Sequence, residues 1–210
     1  MPRFALAFHR LDHHRRRRDN REAAMNSIAK TATHALAEIG DCIAGIDQAH
    51  IDGIVDLLAT SRRICLYGGG REGLMMRAFC MRLYHIGLDA HMVADMNTPP
   101  VGPGDLLLVS AGPGNISTVQ ALLGQARKGG AGTACFTAEP GSPVTESSDF
   151  TFIIPAQTMA RDTSAPTSIL PMGSLYEGTQ FVLYELLIMA LRDRVGETAE
   201  SMRARHTNLE

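Results

Sequence analysis

The sequence predicts an α/β fold: a five-stranded parallel sheet flanked by helices on both faces, with leading N-terminal helices. Three observations carry this. From residue 64 onward, short apolar runs alternate with helix-patterned segments. The runs are apolar at nearly every position, as strands buried on both faces must be. Two of them stop at glycine-rich turns, Gly68–Gly73 and Ser110–Thr118, and each turn leads directly into a helical pattern.

Residues 1–20 carry Arg15-Arg16-Arg17-Arg18 beside His13-His14, a like-charge block that stays solvated, and they are read as a disordered tail. Only a short apolar stretch precedes the arginines, unlike a secretory signal, so the tail reads as an over-long translation start with Met25 the natural beginning. The domain is expected over 21–210. Between Glu22 and Thr60, Ile28, Thr31, Ala35, Ile39, Ile43 and Ile46, then Ile51, Ile54, Val55 and Leu58, recur at helical spacing. This predicts two leading helices, with Gly40 and Gly45 as the breaks.

Ile64–Gly68 is then the first strand, followed by a helix to about Ile86 that Gly87 closes. Ala90–Ala94 and Gly104–Ser110 are the next strands, and Ser117–Lys128 is an amphipathic helix ending at Gly129-Gly130. Thr133–Thr137 is a fourth strand, Ser142-Pro143 opens a short helix, and Phe150–Ile154 is a fifth strand. Phe181–Leu191 is apolar almost all round, so it must be covered on most sides, by the sheet and by a second subunit.

A 45% hydrophobic content over 210 residues supports one sizeable core rather than two domains. A net charge of −2 and 5% aromatic residues leave neither a basic field nor a stacking surface, which excludes a nucleic-acid partner. Cys42, Cys65, Cys80 and Cys135 form no C-x-x-C pair, consistent with a reducing, cytoplasmic setting and no metal site. The expected partners are a small anion-bearing ligand and further copies of the chain, with no membrane and no cofactor.

Parallel sheets bind ligands at the carboxyl ends of their strands, where strand order reverses. With the flavodoxin-like order 2-1-3-4-5, the two glycine turns face each other across that crevice and make a two-sided pocket for an anion-bearing ligand. Gly68-Gly69-Gly70-Arg71-Glu72-Gly73 also satisfies the dinucleotide pattern G-x-G-x-x-G, with Asp95 near the place of the ribose-binding acid. The second glycine turn and the lack of room for a substrate domain argue against that use. Ser174-x-x-Glu177 reads locally as a capping box, which alone would explain Glu177. The other reading is a carboxylate beside an apolar pocket acting as a general base.

From about residue 25 the sequence resembles the sugar isomerase (SIS) fold and, within it, the 6-phospho-3-hexuloisomerase family. The resemblance is carried by Gly68-Gly69-Gly70-Arg71-x-Gly73-Leu74-Met75, Phe79-x-Met81-Arg82-Leu83-x-His85-x-Gly87, Thr98-Pro99-Pro100 and Gly104-Asp105-Leu106. Pro171-Met172-Gly173-Ser174-Leu175-Tyr176-Glu177 and the closing His206-Thr207-Asn208-Leu209-Glu210 complete it. It implies a homotetramer, or dimer, that interconverts ketose phosphates through an enediol without metal or nucleotide. Glu177 would be the base and His206 would assist, reaching a neighbouring subunit's pocket, whereas His85 is expected to be a packed helix residue.

Members typically read G-x-G-R-S-G and S-G-S-G-x-T in the two turns, with the hydroxyls holding phosphate. Here Glu72 replaces the first serine, and Ala111, Pro113 and Ile116 replace the serine, serine and threonine of the second turn. Substrate contacts are therefore expected from Gly70, Arg71, Glu72, Ser110, Gly112, Gly114, Asn115, Ser117 and Thr118, with Arg71 as the partner of Glu72. The alternative function is a non-catalytic SIS module that binds a sugar derivative.

Overall fold

The computed structural model describes residues 27–162 and 167–209; the tail assigned to residues 1–20 lies outside them. Helix α1 covers 27–44 and α2 covers Gln48–Thr60, capped by Asp47, whose Oδ1 accepts from the Ala49 amide at 3.0 Å. Gly45 does break the chain between them, but Gly40 does not. A Cβ at Gly40 would meet nothing within 4 Å, so this glycine sits on an open helix surface where its weak propensity is tolerated.

The sheet follows as β1 (Arg63–Gly68), β2 (Ala90–Met92), β3 (Asp105–Ser110), β4 (Gly132–Thr137) and β5 (Phe150–Ile153). The strands are parallel throughout, in the order β2-β1-β3-β4-β5. Intervening helices are α3 (Gly70–His85), α4 (Ser117–Lys128) and α5 (Pro143–Glu146); α6 (Ser174–Val195) and α7 (Ala199–Ala204) close the chain. Strand β2 is shorter than its apolar pattern because Ala94 turns at φ +78° and the Asp95 amide bonds back to the Met92 carbonyl.

Alternation along the strands builds two cores. Ile64, Leu66, Leu106, Leu108, Ala134 and Phe136 face a large cluster with Phe79, Leu83, Leu183 and Leu187 of α3 and α6. Cys65, Leu107, Val109 and Cys135 face a smaller one with Val119, Leu123 and Ala126 of α4 and Val144 of α5. All four cysteines are buried, unpaired thiols. Helices α3 and α6 lie side by side, with Phe79 stacked on Tyr184 (centroids 4.4 Å apart) and Arg82 clasping both oxygens of Glu185.

This pair also leaves large apolar side chains in solvent. Leu74, Met81 and Tyr84 on α3 and Phe181, Leu186 and Met189 on α6 are all exposed. Among the described residues, no helix is long and apolar enough to cross a membrane.

Candidate active site

Strand β1 ends at Gly68, Gly69 stays extended, and Gly70 enters α3 at φ +54°. A Cβ on Gly73 would collide with the Gly68 carbonyl, so only glycine lets α3 start this close to the strand end. The paired residues Gly68 and Ser110 bring the ends of β1 and β3 level, and the two glycine turns face each other at the reversal of strand order.

The neighbours Arg71 and Glu72 then point to different partners. Glu72 turns inward and is only 8% exposed. Its Oε2 accepts from the Ser110 hydroxyl and, at 2.9 Å, from the Gly112 amide, so the carboxylate bridges the two turns. Ser110 in turn accepts from Gln180 Nε2 at 2.7 Å, and Gln180 also donates to the Tyr184 hydroxyl. Burial raises the Glu72 carboxyl above the ordinary carboxylate range; the Ser110 and Gly112 hydrogen bonds oppose that rise and the Glu177 charge adds to it.

Arg71 is not the partner of Glu72. It reaches the start of α6, where Nη1 donates to Ser174 Oγ at 2.7 Å and Nη2 donates to the Met172 carbonyl. Nη2 also lies 3.3 Å from Glu177 Oε2, an ion pair not aligned as a hydrogen bond. The expected capping box is absent: Gly173, at φ +74°, holds the cap position, and the Ser174 hydroxyl bonds to Pro171 O instead. The chain enters α6 through a left-handed turn, which puts Ser174 inside the helix rather than before it. Glu177 is thus not explained by capping. Burial raises its carboxyl above the ordinary range, opposed by its own backbone amide and by Arg71.

A cavity of about 360 Å³ lies between these groups, within the range of small-molecule sites. Gly70, Arg71, Glu72, Pro113 and Ile116 of the two turns line one side, and Met172, Gly173, Tyr176 and Glu177 the other. Thr158 and Met159, just beyond β5, complete it. Three polar atoms in these walls, Thr158 Oγ1, the Tyr176 hydroxyl and Glu177 Oε2, have no hydrogen-bond partner among the described residues.

Residues 57–190 match the SIS domain. The chain belongs to the SIS-domain family. Its relatives include a 3-hexulose-6-phosphate isomerase of Mycobacterium gastri, 37% identical over 193 residues, covering 90% of this chain and 96% of that one. Another of the same name, from Bacillus subtilis, is 32% identical over 175 residues, covering 83% and 95%. A Methanococcus jannaschii protein, whose crystal structure led to an inferred 3-hexulose-6-phosphate isomerase function, superposes with a TM-score of 0.73. It is 24% identical and covers 88% of this chain and 99% of that one, a likeness of fold.

Within this SIS domain, Gly70, Arg71, Glu72 and Glu177 come together around one cavity. Ser110 and Gly112 lie behind Glu72, and Gly114, at φ +74°, packs against Ser142 and Glu139. Asn115, which accepts from Gln120, and Ser117 and Thr118 sit exposed at the start of α4, outside the cavity lining. Ala111 is fully buried in the smaller core, so only Pro113 and Ile116 of the altered second turn reach the cavity.

His206 lines a different cavity with Met81, Tyr84 and His85, its ring stacked 5.4 Å from that of His85, which is itself buried. That end of the chain is held by Arg205, whose guanidinium takes both oxygens of Glu197 and the His85 carbonyl. Asp95 pairs loosely with Arg77 at 3.4 Å. Among the described residues no group of three or more His, Cys, Asp or Glu is gathered to hold a metal ion.

Sequence reasoning missed Thr158 and Met159. The signal was available: they follow the carboxyl end of the fifth strand, the edge on which such sheets place ligands.

Proposed function

We propose that this chain is a sugar-phosphate isomerase that interconverts ketose 6-phosphates by enediol proton transfer, with 3-hexulose 6-phosphate as substrate. The observation that carries the reading is Glu177, a partly buried carboxylate in the wall of the cavity at the β1/β3 switch point, beside Arg71. With the ketone at C3, the proton on C2 is α to the carbonyl. A carboxylate with a raised pKa is a stronger base for removing it, and the same group can return the proton to C3 and leave a 2-ketose. The developing enediolate needs a positive neighbour, for which Arg71 is the nearest candidate. The full-length relatives named for this reaction favour turnover over a non-catalytic sugar-binding role.

The test is incubation of the protein with 3-hexulose 6-phosphate in deuterium oxide, followed by NMR. The expected result is formation of the 2-ketose 6-phosphate, with deuterium entering at the reacting carbons when solvent exchange competes. Neither conversion nor exchange would overturn the reading.

We further infer a homo-oligomer, a tetramer or a dimer, in a reducing, cytoplasmic setting consistent with four buried thiols. The exposed apolar side chains of α3 and α6 support this, because they extend over two adjacent helices rather than being scattered singly. In such an assembly His206 would serve a neighbour's cavity. Light scattering at micromolar concentration is expected to give a multiple of the chain mass; a monomer mass would end this inference.

A further inference from the structure

Glu72 is a built-in anion. It occupies the first turn of α3, where a helix dipole favours negative charge, and it consumes two donors at the β1/β3 switch point, the Ser110 hydroxyl and the Gly112 amide. Those donors therefore bind an oxyanion in this protein already, and it is the protein's own. Glu72 is also one of the residues that line the cavity.

Its surroundings leave the charge little room. On its own helix, the neighbouring Arg71 is committed to Met172, Ser174 and Glu177. From α6, Glu177 raises the Glu72 carboxyl, and the buried phenols of Tyr176 and Tyr184 are pushed well above their ordinary range by burial and by the charge of Glu72. The β3 turn contributes only neutral donors. A phosphate dianion placed here would meet the carboxylate of a residue only 8% exposed, with no cation bonded to it among the described residues. A buried carboxylate and a phosphate dianion held in one cavity cannot both stay ionised at modest cost.

We propose that Glu72 makes phosphosugar binding proton-coupled: the phosphate is accepted only as the Glu72 carboxylate takes up a proton. The proton comes from solvent. It leaves the carboxyl neutral, and the new O–H can donate to a phosphate oxygen, an acid–phosphate hydrogen bond of the strong, charge-assisted kind. A serine at position 72 would accept the same phosphate with no proton uptake, so this residue sets both the pH range and the ligand charge that the site tolerates. The inference rests on the site being a sugar-phosphate site.

The sign is fixed by linkage. Binding that consumes one proton weakens tenfold for each pH unit above the carboxyl's pKa. A phosphosugar's own second ionisation lies near pH ~6, so measurements between pH 7 and 8 isolate the protein's proton.

Titration calorimetry with fructose 6-phosphate, in two buffers of different ionisation enthalpy, tests this on the full chain. The native protein is expected to take up close to one proton per ligand bound at pH 8, and its affinity should fall nearly tenfold between pH 7 and 8. Glu72→Gln keeps the volume and an acceptor for Ser110 and Gly112. It should bind at least tenfold more tightly at pH 8, with no proton uptake and a flat pH profile. Glu72→Ser should behave likewise and serves if the glutamine variant melts early.

Equal proton uptake and equal pH slopes in native protein and variants would overturn the proposal. If that happens while 3-hexulose 6-phosphate is still turned over, the isomerase reading stands and only the role of Glu72 falls. If no form binds the phosphosugar and none is active, both fall together.

Discussion

Glu177→Gln is expected to lower turnover of 3-hexulose 6-phosphate by at least ~100-fold while leaving the melting temperature close to native. The substitution keeps volume and shape but removes the group that accepts the C2 proton. Little stability should be lost, for two reasons. The ion pair with Arg71 involves a guanidinium that is nearly half exposed, and such pairs contribute about 0–1 kcal/mol. Burial also disfavours the ionised form of Glu177, so removing its charge returns part of that loss. The fall should appear in kcat rather than in KM, since a base acts mainly in the transition state. Native turnover by the variant would return Glu177 to a packing role.

A second large effect is expected from Gly173→Ala. This glycine holds φ +74° at the cap of α6, where an alanine pays for a left-handed backbone. Its Cβ would press on the Met159 amide nitrogen and stand 2.8 Å from the Thr158 carbonyl carbon. Both are backbone atoms, so no side-chain rotation relieves the contact. Adding roughly 1–2 kcal/mol for the conformation to roughly 1–3 kcal/mol for overpacking gives a loss of about 2–5 kcal/mol. For a chain of this length that is a fall of roughly 4–20 °C in melting temperature. Because Gly173, Thr158, Met159 and Glu177 share one cavity, the displacement should also reduce kcat/KM at least tenfold. A variant that melts and turns over like the native protein would show that the turn before α6 can yield.

The local pattern was enough wherever structure follows from one strand or one helix turn. Ser117–Lys128 is the helix expected from its periodicity, and Asp105–Ser110 is buried at every position, as its unbroken apolar run requires. The flavodoxin-like order taken for the sheet is the one observed, and it brings the two glycine turns to one crevice. Where the reading erred, the surroundings outweighed the residue letters. Gly40 looks like a helix break, yet an exposed glycine costs α1 only its propensity. Ser174-x-x-Glu177 has the letters of a capping box, but Arg71, 103 residues from Ser174, and the left-handed Gly173 use that corner differently.

By itself, then, the sequence determined the α/β class, the positions of its strands and the edge where a ligand would sit, because apolar periodicity and glycine turns act within a few residues. It also placed a carboxylate at the first turn of α3. Only the tertiary structure decided which way that carboxylate points. Its donors, Ser110 and Gly112, lie 38 and 40 residues away, and a contact made across the sheet leaves no mark in the local pattern of either partner.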